Sequence, residues 1–273
     1  MASSVPVSTG TLDVPGARLY YELRGSGPLL ALIGSPMGAA PFAPLADLLA
    51  TDHTVLTTDP RGHFGSALDD PDSACTVQTR ADDLARLIQH VDAGPTFVLG
   101  SSGGAVTTLA LVQTHPELVR TAVAHEPPLI ELLDDREQQD ATMEDIVATY
   151  VDGDRLGAVR KFMVNAGFVL PEEVFLQIFG GEQSPEQLAS ERRFYLHDLP
   201  TTVSWLPDLD ALRDTSATVV IGIGEASAGM LCDRTSRSLT AELKSEPGLF
   251  PSGHTGFAEE PVAFALRLRA LIG

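Results

Sequence analysis

The chain has 273 residues, of which 44% are hydrophobic and 20% are charged. This balance supports a sizeable buried core and excludes a disordered chain, so we expect one large domain or one domain that carries an insertion. Lys and Arg number 18 against 37 Asp and Glu, which gives a formal net charge of −19. Such a charge is repelled by phosphate backbones and anionic lipids, so we expect neither a nucleic-acid partner nor a membrane partner.

Patterns typical of strands alternate along the chain with patterns typical of helices. The first strand pattern alternates between apolar and polar residues, whereas the later ones are mostly continuous apolar runs. The predicted strands cover residues 17–23, 28–34, 53–59, 96–100, 120–126 and 217–224. Helices are predicted at 81–92, which repeats apolar residues at i, i+3, i+4 and i+7, and at 261–273. Continuous apolar strands suit a parallel sheet with both faces covered, so we predict an α/β fold with a mostly parallel central sheet flanked by helices.

The alternation stops after the strand that ends near Glu126. Residues 129–215 are predicted to be helical, with one broken helix or two at 142–164. Such an insertion between two sheet strands is expected to lie as a cap over the C-terminal edge of the sheet, where open α/β sheets bind ligands. We therefore predict a core domain formed by residues 1–128 and 216–273, and a helical cap domain formed by residues 129–215.

The ends and the cysteines of the chain carry few signals. The N-terminal stretch has no basic start and no long apolar run, and no segment approaches the ~20 apolar residues that a membrane span needs. Cys75 and Cys232 are too few for a disulfide framework, and neither belongs to a Cys-x-x-Cys motif. We predict a soluble cytoplasmic protein with reduced cysteines, at least one of them buried. The oligomeric state stays open, and a homodimer is one alternative.

The segment FVLGSSGG, residues 97–104, ends an apolar strand with two adjacent serines. The pattern Gly-x-Ser-x-Gly fits residues 100–104 only, because Leu99 stands where a motif centred on Ser101 needs glycine. A helix-compatible run follows, as in a nucleophile elbow, where a sharp turn projects the serine oxygen into a cleft. The alternative, a nucleotide-binding turn, favours Gly-x-Gly-x-x-Gly or a lysine, and neither stands here. Ser102 is therefore the predicted nucleophile.

A serine hydroxyl needs a neighbouring imidazole to become a nucleophile, and seven histidines compete for this role. In sites of this class the base follows the nucleophile and the acid in sequence, on a loop after the last strand. His254 fits this position, because an apolar run precedes it, glycines at 253 and 256 permit a tight loop, and the closing helix follows. His197 falls in the predicted cap and is expected to line the substrate pocket.

The acid that orients the imidazole has two candidates. Its usual place lies a few residues beyond the strand at 217–224, but Ser227 stands there and cannot hold a charge beside an imidazolium. The end of the strand that follows the helix after Ser102 can reach the same histidine, and Glu126 lies there before two prolines. Glu126 is the predicted acid, and Glu225 is the alternative.

The oxyanion hole requires two backbone N–H groups, one from the residue after the nucleophile and one from the loop after an earlier strand. Gly103 supplies the first. The second lies in residues 32–42, where Pro36 has no N–H to give, so Ser35 is the better candidate, with Gly34 permitting the turn.

Several segments of the chain resemble the α/β-hydrolase family over nearly its whole length. These segments are YYELRGSGP, TTDPRGHFGS, LGSSGGA, HPELVRTAVAHEPP and PSGHTGF. Within that fold, the Ser-Ser-Gly elbow and the Ala-His-Glu-x-Pro segment are similar to those of the zearalenone lactonases. That resemblance implies Glu126 as the acid and the N–H groups of Ser35 and Gly103 as the oxyanion hole. Trp205 resembles the cap tryptophan of those lactonases, although a packed core aromatic is the alternative role.

These observations predict a serine hydrolase, a carboxylic ester hydrolase or lactonase of zearalenone type, with a small apolar ester or lactone as substrate. Gly34, Trp205, Met163 and His197 are the predicted substrate-binding residues, and no metal or organic cofactor is implied. The aromatic and methionine residues of the cap suit an apolar substrate; they are Phe162, Met163, Phe168, Phe175, Phe179 and Trp205. The alternative is a non-hydrolytic protein of the same fold, such as a lyase, a perhydrolase or a ligand-binding receptor.

Overall fold

A computed structural model describes residues 5–91 and 94–272 of the chain. The strands of these residues join into one mixed sheet. They are β1 (Val7–Val14), β2 (Ala17–Arg24), β3 (Leu29–Ile33), β4 (Thr54–Thr58), β5 (Ala67–Leu68), β6 (Thr96–Ser101), β7 (Val119–His125), β8 (Thr218–Gly224) and β9 (Gly248–Phe250). Their order across the sheet is β1-β2-β4-β3-β6-β7-β8-β9, and β5 pairs with β2. All neighbouring pairs from β4 to β9 are parallel, whereas β2 is antiparallel to β1, β4 and β5.

Helices cover both faces of this sheet. They are α1 (Ala43–Leu49), α2 (Val77–Val91), α3 (Gly103–Thr114), α4 (Arg136–Val151), α5 (Arg155–Ala166), α6 (Glu172–Phe179), α7 (Pro185–Arg193), α8 (Leu199–Val203), α9 (Leu209–Asp214), α10 (Leu231–Leu243), α11 (Gly256–Glu259) and α12 (Pro261–Ile272). Buried residues of α2, α3 and α10 belong to one hydrophobic cluster with the sheet, and those of α1, α11 and α12 belong to another. The predicted α/β fold with a mostly parallel, helix-covered sheet is confirmed.

The segment between β7 and β8 is helical, and residues 129–215 are called the cap below, as a name for this segment only. Residues 129–215, all of which the structure describes, form α4 to α9 with intervening turns and loops. The ambiguous stretch 142–164 belongs to two helices, since α4 ends at Val151 and Asp154 caps α5 by accepting a hydrogen bond from the Gly157 N–H. These helices have a hydrophobic cluster of their own, which includes Ile146 and Phe175 and reaches Leu231 of α10.

Two further features concern the hydropathy of the helices and the state of the cysteines. None of the helices within the described residues combines the length and the hydropathy required to cross a membrane. Cys75 and Cys232 are both free and both buried.

Candidate active site

Ser102 lies in the sharp turn between β6 and α3. Its backbone adopts φ 58° and ψ −124°, a conformation with positive φ that is costly for any residue with a Cβ. The turn is held by a hydrogen bond of 3.0 Å from the Ser102 N–H to the His125 carbonyl on the neighbouring strand β7. Strained turns of this kind raise a side chain above the end of the sheet, which is what a nucleophile elbow requires.

The glycines around Ser102 allow the close packing of this turn. A Cβ on Gly100 would collide with Thr108 Oγ1 of α3, and one on Gly104 would collide with the Ile33 carbonyl at the end of β3. A Cβ on Gly103 would lie 2.8 Å from the Ser35 carbonyl. The spacing of the Gly-x-Ser-x-Gly pattern therefore reflects the approach of α3 to its own strand and to β3.

Glu126 and His254 form the central polar contact of the site. Glu126 follows the last residue of β7, is fully buried, and adopts a positive φ of 54°. Its Oε2 lies 2.6 Å from His254 Nδ1, and its Oε1 accepts a hydrogen bond of 2.8 Å from the Gly224 N–H at the end of β8. Each carboxylate oxygen is thus engaged, and the contact with Nδ1 leaves His254 Nε2 as the ring nitrogen available to a substrate.

Burial and charge act in opposite directions on these two groups. Burial raises the pKa of Glu126, but the hydrogen bond and charge of His254 outweigh it and hold that pKa below its usual value. Burial likewise lowers the pKa of His254, but the Cys232 sulfur and the Glu126 carboxylate outweigh it and raise that pKa above its usual value. The net effect favours an anionic carboxylate beside a basic imidazole.

The other carboxylate candidate lies elsewhere. Glu225 stands on the short 3₁₀ turn Glu225–Ser227 and is exposed to solvent. Ser227 stands at the usual place of the acid. It is fully buried, and its Oγ has no hydrogen-bond partner among the described residues. The structure therefore brings Glu126, and not Glu225, to His254.

The two predicted oxyanion donors lie on adjoining turns. Ser35 follows β3, and Gly103 is the first residue of α3, so the N–H of Gly103 has no acceptor within its own helix. Gly34 is buried at the turn after β3, where a Cβ would lie 2.6 Å from the Met37 carbonyl. Its role in the structure is to allow that turn; it is not among the residues that line the catalytic cavity.

Arg80 of α2 connects this turn to the cap. It was not among the residues predicted for the site. Its side chain is buried and donates hydrogen bonds to Ser35 Oγ at 3.1 Å and to Thr202 Oγ1 of α8 at 2.8 Å. The signal was present in the sequence, because Arg80 stands four residues before Leu84 and so lies on the buried face of α2. A buried polar residue on such a face usually has a specific partner.

Ser102, Gly103, Ser35 and His254 line one cavity of about 240 Å³, which we call the catalytic cavity. Residues of the cap line it as well, and most of its wall is apolar; Phe168, for instance, places its ring 5.9 Å from the His254 ring. Cys232 of α10 also lines this cavity, a position that the sequence reading did not assign to it.

Three predicted substrate-binding residues do not line the catalytic cavity. Trp205 packs against the hydrophobic cluster of the sheet, which agrees with its alternative role as a packed core aromatic. Met163 faces a neighbouring cavity instead. His197 lies on the π-helical turn Phe194–Asp198, outside both cavity walls. Their role in substrate binding stays a prediction, and their position outside the catalytic cavity could not be read from the sequence, because it depends on how the helices and loops of residues 129–215 dock.

Within residues 5–91 and 94–272, no group of three or more His, Cys, Asp and Glu side chains is arranged to hold a metal ion. Two polar pairs lie at the catalytic cavity, Glu126 with His254 and Arg80 with Ser35. Their arrangement suits proton transfer and the stabilisation of a developing negative charge.

The fold and this site together define the class of the protein. The model of the alpha/beta hydrolase family matches residues 29–267, so the chain belongs to that family and is a hydrolase of the α/β-hydrolase type. The family resemblance predicted from the sequence is confirmed.

Individual relatives extend over nearly the whole chain. The chain is 32% identical over 273 residues to the uncharacterized hydrolase YraK of Bacillus subtilis (strain 168), with 97% of this chain and 96% of the relative covered. It is 25% identical over 271 residues to the zearalenone hydrolase of Bionectria ochroleuca, with 93% and 94% covered. A solved structure described as "Est816 as an N-Acyl homoserine lactone degrading enzyme" matches with a TM-score of 0.74 at 17% identity, covering 96% of this chain and 99% of that one. At that identity the likeness shows the fold alone.

Proposed function

We propose that the chain is a serine hydrolase that cleaves carboxylic esters or lactones through a covalent acyl-enzyme. The observation that carries this proposal is the 2.6 Å contact between His254 Nδ1 and Glu126 Oε2 at a cavity that Ser102 also lines. An imidazole held by a carboxylate at Nδ1 presents Nε2 as a general base, and the turn at Ser102 supplies the hydroxyl that such a base activates.

In the first half of the reaction, Ser102 Oγ forms a bond to the substrate carbonyl carbon while its proton passes to His254 Nε2. The carbonyl electron pair moves onto oxygen, where the N–H groups of Ser35 and Gly103 stabilise it by ~3 kcal/mol each. When the carbonyl re-forms, the bond to the leaving oxygen breaks, and that oxygen takes the proton from His254.

In the second half, water attacks the acyl-enzyme and gives a proton to His254. The bond to Ser102 Oγ then breaks, and His254 returns the proton to the serine. One ester and one water thus give one acid and one alcohol. From a lactone, both groups stay in one molecule, a hydroxy acid.

Among lactones, we propose a substrate of zearalenone type. The full-length similarity to a zearalenone hydrolase supports this, as does the largely apolar wall of the catalytic cavity. Such a wall binds an apolar ring, and the few polar groups beside that ring orient the reacting carbonyl.

Chromatography of zearalenone incubated with wild-type protein and with Ser102→Ala tests the proposal. We expect loss of the intact lactone with wild type and a rate at least about 10³-fold lower with Ser102→Ala, because the nucleophile is gone. Ser101→Ala is the matched control, since the neighbouring serine is buried at the end of β6 and stands outside the proposed mechanism. It should retain the wild-type rate.

A second measurement separates the mechanism from the substrate. A phosphonylating or phosphorylating ester that reacts with serine nucleophiles should add its group to wild type and to Ser101→Ala, but not to Ser102→Ala, by mass spectrometry of the intact protein. Labelling at Ser102 without zearalenone turnover would reject the zearalenone-type substrate alone. Unchanged hydrolysis by Ser102→Ala would reject the serine mechanism.

A further inference from the structure

A second, larger cavity lies beside the catalytic cavity. Its volume is about 660 Å³. It is enclosed by α5, α6 and α7 of the cap on one side, and by β2 and the loops after β3 and β4 on the other. Its wall is mostly apolar, with Phe64, Val159, Met163 and Phe179 among the residues that face it. Phe64 is 53% exposed, so part of this apolar wall is open to solvent.

The two cavities share a wall. Pro36 and Met37, directly after the proposed oxyanion donor Ser35, line both of them, and so do Phe162 of α5 and Phe194. The two cavities therefore adjoin at these four side chains, and a molecule that extends from Ser102 into the second cavity has to pass between them.

The sizes of the cavities indicate how they would be used. Sites for drug-sized ligands usually measure about 300 to 1,000 Å³. The catalytic cavity, at about 240 Å³, falls below this range and holds only part of such a molecule, whereas the second cavity, at about 660 Å³, falls within it. A substrate of ordinary size is accommodated when its reacting carbonyl occupies the first cavity and its remainder the second.

The position of His254 indicates which part of the substrate occupies the second cavity. The leaving oxygen must take its proton from His254 Nε2, so the leaving group lies on the histidine side, beside Phe168 and Cys232. These residues line the catalytic cavity and are not among those that line the second one. The shared wall adjoins Ser35, on the oxyanion side, and this is the side from which the acyl chain extends.

The charge around the second cavity limits the chemistry of its occupant. The carboxylates of Glu22, Asp59 and Glu191 lie along its wall. Glu22 pairs with Arg24 and Glu191 pairs with Arg155, while Asp59 accepts hydrogen bonds from backbone N–H groups. No Lys or Arg is among the described residues that line this cavity, so an anionic end group finds no cation there, and the apolar side chains favour hydrocarbon.

We propose that the second cavity binds the distal hydrocarbon end of the acyl group of the substrate, so that among open-chain esters the enzyme favours uncharged ones with long apolar acyl chains. This inference rests on the serine-hydrolase mechanism proposed above. The four shared residues form the passage between the reacting carbonyl and this acyl site.

A series of p-nitrophenyl esters with acyl chains from acetyl to octanoyl tests the acyl site. Each methylene that leaves water raises kcat/KM by up to about fourfold, so we expect octanoyl to exceed butanoyl by about 20-fold or more. Lengthening the alcohol part of acetate esters should give no comparable increase, because that part lies on the His254 side.

Ala40→Trp tests whether the second cavity is the cause. Ala40 is exposed and lines the second cavity but not the catalytic one, so a large side chain there occupies the proposed acyl site. We expect the ratio of kcat/KM for octanoyl over acetyl esters to fall at least about tenfold. Ala141→Trp is the matched control, on an exposed position of α4 outside both cavity walls, and should keep the wild-type ratio. Met163→Trp, which fills the same space from the cap, is the second variant if Ala40→Trp does not fold.

The outcomes separate the two proposals. Ester turnover that persists in Ser102→Ala rejects the proposed mechanism and this inference with it. Turnover that depends on Ser102 but does not rise with acyl length rejects the acyl site alone. A chain-length preference that both cavity-filling variants and Ala141→Trp retain equally also rejects it.

Discussion

The contact between Glu126 and His254 determines how the imidazole can act. Glu126→Gln keeps the size of the side chain but removes its charge, so the ring loses the partner that fixes Nδ1–H and stabilises the imidazolium. We expect kcat for ester hydrolysis to fall roughly 10³- to 10⁴-fold. Glu225→Gln removes an exposed carboxylate from the 3₁₀ turn after β8 and should change kcat little. If the two variants ranked in the opposite order, the acid would be wrongly assigned.

The same substitution carries a pH signature. Glu126 is among the groups that raise the pKa of His254, and the base acts only when Nε2 is unprotonated. The rate therefore rises with pH through the pKa of His254, and removing the carboxylate lowers that pKa. The residual activity of Glu126→Gln should show its acidic limb at lower pH than wild type, in a profile of kcat/KM against pH. A limb at higher pH would contradict this assignment of causes.

Individual residues of the site differ in how far the sequence could predict them. Ser102 belongs to a motif whose glycines are required by local packing, so its place in a tight turn follows from the pattern alone. Glu126 and His254 are 128 residues apart, yet each follows a strand of the parallel sheet, and such strand ends meet at one edge. Met163 of α5 and Trp205, in the loop between α8 and α9, have no comparable constraint, because their facing depends on how residues 129–215 dock on the sheet.

At the scale of elements, α2 links the turn after β3 to the cap through Arg80. Arg80→Met retains the apolar stem but removes the donors to Ser35 Oγ and Thr202 Oγ1, which frees the turn that carries the Ser35 N–H. We expect kcat to fall roughly tenfold with little change in KM, since the proposed oxyanion contact is stronger in the transition state than in the bound substrate.

A double-mutant cycle separates this positioning role from a general loss of stability. Ser35→Ala removes the hydroxyl that accepts from Arg80 but keeps the backbone N–H. If Arg80 acts through that hydroxyl, the effects of Arg80→Met and Ser35→Ala on kcat should be clearly less than additive. Full additivity would show that Arg80 influences turnover by another route.

Elements were predictable where burial produces a local pattern. All six predicted strands are present. β3, β4, β6, β7 and β8 are recognisable from runs of apolar residues, and the half-buried β2 is recognisable from the alternation of apolar and polar residues. β1 was missed because it is mostly exposed at the sheet edge and is specified by its pairing with β2 along eight residues. β9 was missed because three residues are too short for periodicity to register. Pairing across the sheet thus supplies what the local pattern lacks.

For the whole molecule, the buried imidazole of His125 makes stability depend on pH. His125 ends β7 in the apolar layer between Phe250 and Phe264, is fully buried, and has no hydrogen-bond partner for either ring nitrogen among the described residues. Burial lowers its pKa to about 4, with Glu126 opposing this shift and His254 adding to it. The folded chain therefore keeps the ring neutral at a pH where the unfolded chain protonates it.

The sign of the effect follows from this difference in proton uptake. Between pH 6.5 and 4 the unfolded state binds one more proton at His125 than the folded state, so this residue makes stability fall as the pH is lowered. His125→Leu removes the proton uptake and fills similar space among the same aromatic rings. We expect the loss of unfolding free energy from pH 7.5 to pH 4.5, measured by urea denaturation, to be smaller in His125→Leu by roughly 2–3 kcal/mol. His90→Leu, at an exposed position of α2, should retain most of the wild-type loss. Equal losses in wild type and His125→Leu would show that the buried ring does not govern acid stability.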